Sequence, residues 1–373
     1  MASTDIFEHF DEMEDPRMDR QKRHSLMDIL FISVSAVICG ATSFVDMYDF
    51  GCAKQEWLEQ QLDLPNGIPS HDTFRRVFSL IDPEAFRRCF MSWTEALREA
   101  TGGDIIAFDG KTLRRSFDTA TGLSAIHVIN AWSCENDFCI GQMKVDGKSN
   151  EITAMPALMA LMDIRGSVIT ADALNCQRDI AQQIITQGGD YVLAVKNNQP
   201  SLYEDVKLFF EDGFAEGFDV AIQECVSDDW GHGRSETRKC WAASVEHLEW
   251  FKHAKNWKGL KSIACVQSTR RTSDGESVEN RYFISSFEQV KIIAKSVRGH
   301  WSIENKLHWV MDMDFDEDAC RVRTDHAPEN FALVRQMAHN LIKQESSKGF
   351  SIRRKMRKAG YDTGFLTRIL LGV

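Results

Sequence analysis

The ten cysteines of this 373-residue chain never pair: they stand singly at positions 39, 52, 89, 134, 139, 176, 225, 240, 265 and 320, and no CxxC occurs. Zinc-ribbon and dithiol-redox chemistry therefore lack their ligand spacing. No secretory leader is apparent, so reduced thiols in the cytoplasm are expected. The most apolar run, residues 29–41, falls short of the roughly 20 residues needed to cross a bilayer, which predicts a buried helix and no membrane partner. An excess of positive charge is missing too. The formal net charge is −11, which excludes a general nucleic-acid coat protein but leaves room for local basic patches on DNA. GxSxG, HExxH and a phosphate-cradling glycine loop are absent, which removes the corresponding hydrolase and nucleotide-binding classes. There is no internal repeat or low-complexity segment.

What remains is ordinary globular composition, 43% hydrophobic and 27% charged, in a chain long enough for two or three domains. Helical patterning fills 25–101, with helices over 26–41, 45–62, 72–81 and 84–100. Arg75 and Arg76 on the third of these are consistent with a DNA-binding head or with a purely structural unit. From 104 the period changes. Strands at 105–108, 125–133, 138–145, 167–171 and 191–196, with helices at 151–162 and 176–187, predict an α/β mixed sheet. Residues 212–287 alternate like an all-β insertion, and helix returns over 287–309. Boundaries follow: a helical N-terminal domain at 1–102, a core at 103–211 and 288–345 split by the insertion, and a basic C-terminal tail at 346–373.

Three acids stand out. Ile105–Phe108 reads as a buried strand ending in Asp109-Gly110, and Val168–Ala171 repeats the pattern before Asp172. If these strands lie adjacent and parallel, the two carboxylates meet and need a proton or a cation between them. Glu304 sits in the helical stretch Arg298-Gly-His-Trp-Ser-Ile-Glu-Asn-Lys-Leu-His308, with Trp301 and His308 on its face. Trp301 is either core or a stacking surface for an unpaired base, and His308 either structural or catalytic. Oxygen-only ligation suits Mg²⁺ or Mn²⁺. The acidic run Asp312–Asp318 reads as a surface patch balancing Arg321 and Arg323.

Gly67-Ile-Pro-Ser-His-Asp-Thr-Phe, Phe108-Asp-Gly-Lys-Thr-Leu-Arg114, Lys148-Ser-Asn-Glu-Ile-Thr153, Thr170-Ala-Asp-Ala, Val195-Lys-Asn-Asn-Gln, His300-Trp-Ser-Ile-Glu-Asn-Lys-Leu-His-Trp309 and Arg353-Arg-Lys-Met-Arg-Lys358 follow one another in order. With these motifs, nearly the whole chain resembles the DDE transposases, and within them the insertion-sequence group that includes the H-repeat-associated proteins of Rhs elements. The resemblance implies a ribonuclease H-like fold with Asp109, Asp172 and Glu304 as the catalytic triad holding two divalent ions. It implies a bacterial transposase that hydrolyses a phosphodiester at transposon ends and joins the freed 3′-hydroxyl to target DNA. The partners implied are double-stranded DNA, as terminal inverted repeats and target, and a second copy of the chain when on DNA. Where the wider group carries tyrosine and arginine before the glutamate and lysine after it, this chain has Val297, His300 and Met311. The expected DNA contacts are Lys111, Arg114, Arg115, Lys196, Arg298, His300, Trp301, Lys306, His308, Arg353, Arg354, Lys355, Arg357 and Lys358. A solvated helix face is the alternative for residues 353–358.

Overall fold

Ser25 opens the first long helix with a capping box: its hydroxyl accepts from the Asp28 amide, and the Asp28 carboxylate accepts from the Ser25 amide. The helix it starts, α1 (Leu26–Ile38), is buried on almost every side and so has to be enclosed. Helices α2 (Phe44–Ala53), α3 (Gln55–Leu58), α4 (His71–Leu80) and α5 (Pro83–Leu97) follow. The single helix expected over 45–62 breaks at Lys54, whose φ of −115° leaves the helical region. This computed structural model describes residues 5–19, 22–98, 104–117, 124–145, 151–231, 234–273 and 275–372. The sequence also predicts turns at 231–233 and 274–275 and a helix entry at 149–150; these and the motif residues Lys148–Asn150 fall partly or wholly outside the described residues.

The sheet is built from β1 (Ile105–Thr112), β2 (His127–Ser133), β3 (Phe138–Val145), β4 (Val168–Ala171), β5 (Asp190–Val195), β6 (Ile222–Gly231), β7 (Arg234–Ser244), β8 (Ser262–Thr272) and β9 (Gly275–Ser285). Its order is β3-β2-β1-β4-β5-β9-β8-β7-β6. Strands β1, β4 and β5 run parallel; on the other side of β1, β2 pairs antiparallel with it and β3 antiparallel with β2, so that β3 runs in the direction of β1. Strand β9 pairs antiparallel with β5, so the β-rich stretch continues the same sheet rather than forming a second one.

The helices interleaved with the strands are α6 (Glu151–Met159), α7 (Arg178–Thr186) and α8 (Pro200–Glu216). Next come α9 (Val290–Ile303), a five-residue π-helical turn (Glu304–His308) and α10 (Trp309–Met313), one rod with a widened middle. Helix α11 (Ala327–Gln344) is buried along nearly its whole length and packs against α1, α4, α5 and β3. The N-terminal helices thus share one hydrophobic core with the sheet. The C-terminal stretch is helical as well: α12 (Ile352–Tyr361) and α13 (Thr363–Leu371) bury Met356, Ala359, Phe365, Leu366 and Ile369, and Trp57 donates to Thr367 across 3.2 Å. Among the described residues no helix is long and apolar enough to cross a membrane.

Candidate active site

The parallel ladder between β1 and β4 runs from Ile105–Val168 to Phe108–Ala171, and Asp109 and Asp172 are the next residue on each strand. Neighbouring strands lie about 4.8 Å apart, so the two acids emerge side by side. Their paths then divide. β4 ends, and Asp172 caps a short 3₁₀ turn, its Oδ1 accepting from the backbone and side-chain amides of Asn175 at 3.3 and 3.0 Å. β1 does not end at Asp109 as the sequence suggested: it continues to Thr112, with Asp109 opposite Asn130 of β2. An Asp-Gly pair also suits a strand whose side chains alternate, and pairing with β2 carries it forward.

Helix α9 crosses β1, β4 and β5 and brings in the third acid. His300 fixes the crossing by sharing a 3.2 Å hydrogen bond between its Nδ1 and the Thr170 hydroxyl on β4. The π turn then begins at Glu304. Such turns cost hydrogen-bond geometry and concentrate at functional sites. This one leaves Glu304 facing out while burying His308, whose Nδ1 lies 3.3 Å from Glu304 Oε2 and 3.4 Å from Asp109 Oδ2. Asp109, Glu304 and His308 each offer an atom within 4.8 Å of the others.

The protonation of His308 follows from its other side. Asn130 Nδ2, which can only donate, lies 3.3 Å from His308 Nε2, and Asn130 Oδ1 is engaged by Gln142 Nε2 at 2.9 Å. Nε2 therefore accepts, and Nδ1 carries the hydrogen toward the carboxylates. Burial raises Asp109 to about 6, with Asp172 and Glu304 adding to the rise and His308 opposing it. Asp172 is also raised, first by burial and then by Glu151. Glu304 is lowered, chiefly by its hydrogen bond from His308.

Behind the site lies a second pair that sequence reasoning missed. Glu151 Oε1 and His127 Nε2 form a short buried hydrogen bond, and His127 Nδ1 shares a 2.9 Å bond with the Thr112 hydroxyl. The pair lies against Gly110, where a Cβ would come within 2.7 Å of His127 Nε2 and closer still to Glu151 Oε1. Glycine is thus needed here for close approach, not to turn the chain. The available signals were polar residues inside apolar strands, Asn130 and Gln142, and a glutamate at a helix start.

Several expected DNA contacts lie elsewhere. Lys111 is buried, pairing with Asp312 at 2.6 Å and Glu317 at 2.7 Å, because β1 carries it inward beside Asp109. The acidic run is accordingly no surface patch for Arg321 and Arg323: Asp312 and Glu317 take Lys111, Asp318 lies 3.3 Å from Arg114, and Asp314 lies 3.8 Å from Arg353. His300 is half-buried, with its Nδ1 on the Thr170 hydroxyl, and burial pushes its pKa down to about 4. Lys355 points inward to Glu345 and to the Ile342 carbonyl. Trp301 is 40% exposed with Arg281 stacked 4.3 Å over its ring, and is not a core residue. Arg298 pairs with Asp229 at 2.9 Å and Lys306 with Asp137 at 2.6 Å, both half-exposed. Arg114, Arg115, Lys196, Arg353, Arg354 and Arg357 remain exposed, and Lys358 lies over Phe365 at 4.3 Å.

Asp109, Glu304 and His308 form an oxygen- and nitrogen-lined cluster with no sulfur ligand among them, of a kind suited to divalent cations, and Asp172 follows the neighbouring strand. The profile described as "Transposase DDE domain" matches residues 100–341, and one described as "DDE_Tnp_1-associated" matches residues 7–94. The chain is 40% identical to the Escherichia coli K12 protein named "H repeat-associated putative transposase YhhI" across 98% of both chains. It is 38% identical to the E. coli O157:H7 protein named "Putative transposase YncI" over 99% of this chain and 95% of that one. A cryo-EM structure of a piggyBac transposase synaptic complex with hairpin DNA aligns at a TM-score of 0.42 and 11% identity, over 99% of this chain and 77% of that chain. The chain belongs to the DDE transposases, which are metal-dependent DNA-cleaving enzymes.

Proposed function

We propose that β1–β5 with their helices form a ribonuclease H-like core in which Asp109, Asp172 and Glu304 hold two Mg²⁺ or Mn²⁺ ions, and that the chain cuts the terminal inverted repeats of its own element and joins them to target DNA. The observation that carries this reading is the convergence of Glu304 and Asp109 on His308 Nδ1, beside the strand end that presents Asp172. The donor set fits such ions, since every acid oxygen is hard and the Asp109 carboxyl is raised, first by burial and then by the acids beside it. When bound, the ions supply the charge that activates water and stabilises the leaving oxygen.

The residues of the chain do the rest. Asp109 and Asp172, whose carboxyls are raised chiefly by burial, would hold the ions in their ionised forms. Asn130 keeps the His308 Nδ1 hydrogen aimed at Glu304 and Asp109, so the three groups keep their spacing. In the first reaction a water oxygen bonds to phosphorus and the 3′ oxygen leaves, taking a proton to become a hydroxyl. In the second, that hydroxyl attacks a target phosphorus, and a target 3′-hydroxyl leaves. Arg114, Arg115, Lys196 and the outer face of α12 (Arg353, Arg354, Arg357, Lys358) supply the charge that holds the DNA backbone. Two ends have to be cut together, so the chain acts as a dimer or higher assembly on DNA, within the bacterial cytoplasm.

The test is an assay of labelled terminal-repeat duplex in Mg²⁺ with the wild-type chain and Glu304→Gln. Cleavage and joining by the wild type alone supports the proposal. Cutting without joining reduces the chain to a nuclease, and no cutting by either removes the catalytic reading.

A further inference from the structure

Lys111 stands two residues after Asp109 on β1, so both side chains leave the same face of the strand. An ammonium has three donors, and here all three go to the chain that follows Glu304. They reach the His308 carbonyl at 3.2 Å, Asp312 Oδ1 at 2.6 Å and Glu317 Oε2 at 2.7 Å. His308 ends the π turn, Asp312 is on α10, and Glu317 starts the 3₁₀ turn that follows. Glu317 is 3% exposed and Lys111 9%, so this is an interior anchor, away from DNA.

The widened turn gives the anchor its consequence. A π turn holds one residue more than an α turn, and if it relaxed, the helix beyond it would rotate by about 100° relative to the helix before it. His308 and Glu304 would then no longer face Asp109 together. We propose that Lys111 is a positioning residue for catalysis: it pins the π turn to the strand carrying Asp109 and so sets the spacing between Glu304 and Asp109. This rests on the reading that these carboxylates hold the metal.

The test uses the full chain with three changes: Lys111→Met combined with Glu317→Gln, which removes the Lys111–Glu317 ion pair and leaves the buried Arg335 beside it; Lys111→Arg; and Asp312→Asn, which removes one partly exposed partner. The first readout is Mn²⁺ affinity without DNA, by electron paramagnetic resonance. The second is hydrogen exchange over residues 304–313 in the metal-free protein. The third is the salt dependence of binding to terminal-repeat duplex in EDTA. We expect the double variant to bind Mn²⁺ about tenfold or more weakly, in the range seen when supporting residues of a metal site are lost. We expect Lys111→Arg to restore part of that loss and Asp312→Asn to show a few-fold loss. Exchange over 304–313 should quicken, with the salt dependence unchanged.

Unchanged Mn²⁺ affinity and exchange in Asp312→Asn and in a folded double variant would overturn the proposal. So would a salt slope smaller by about one, the mark of a lost phosphate contact. If the double variant does not fold, Lys111→Arg and Asp312→Asn decide alone. A wild-type chain that binds no Mn²⁺ defeats the proposed function itself, while hydrogen exchange still judges the anchor.

Discussion

Asn130 Nδ2 lies 3.3 Å from His308 Nε2, and an amide nitrogen has only hydrogens to offer there. That one contact fixes which imidazole nitrogen carries the hydrogen: Nδ1, which faces the acids. Replacing Asn130 with Ala frees the ring to take either tautomer. We predict a loss of cleavage of 10- to 100-fold, the range seen when groups supporting a metal site are removed. Nitrogen NMR of His308 should show the fixed Nδ1–H form in the wild type and a mixture in the variant. A fixed Nδ1–H form in both would contradict the assignment.

Asp109 gives the pH dependence. Its carboxyl is raised to about 6 from an ordinary value near 4, so the folded protein holds this proton more tightly than the unfolded chain does. The stability associated with the protonated group is therefore complete below pH 4 and lost as pH rises through 6. Above that the ionised Asp109 costs the metal-free protein about 3 kcal/mol. Asp109→Asn should raise the melting temperature in EDTA by several degrees at pH 8 and leave it unchanged at pH 4. Mn²⁺ affinity of the wild type should rise across the same interval.

Gly110→Ala brings a methyl against Glu151 and His127, both buried and hydrogen-bonded to one another. Overpacking of this kind costs about 1–3 kcal/mol. The methyl is also next to Asp109, so cleavage should fall more than stability. Thermal melts beside the cleavage assay separate the two, and a variant that keeps full activity would show that the pair yields easily.

The basic helix α12 divides by face. Arg353, Arg354 and Arg357 are exposed, whereas Lys355 is buried against Glu345. Each exposed arginine changed to Ala should lower the salt slope of DNA binding by about one. Lys355→Met should lower the melting temperature and leave that slope alone. The reverse pattern would place the DNA elsewhere.

Much of this arrangement was legible in the chain itself. The apolar runs before Asp109 and Asp172 announced two strands, and the parallel pairing of β1 and β4 puts those acids side by side. Glu304 was visible through its helical neighbours. What could not be read was how far a strand or helix continues in tertiary context. Asp109-Gly110 looks like a strand end, but β2 pairing carries β1 on to Thr112. The helix through Glu304 has an unbroken period, but it widens into a π turn at Glu304–His308, where Lys111 of β1 donates to the His308 carbonyl. Charge was the least legible property: Lys111 and Lys355 resemble their exposed neighbours in sequence, and only the packing turns them inward.

The central claim is that Asp109 binds the metal used in cleavage, and a change of ligand tests it most directly. Thiolate is a poor ligand for Mg²⁺ and a better one for softer ions. Asp109→Cys should not cleave terminal-repeat duplex in Mg²⁺ and should regain part of its activity in Mn²⁺, while the wild type works in both. Equal activity of the variant in the two metals, or equal failure in both with DNA binding and folding intact, would contradict the account.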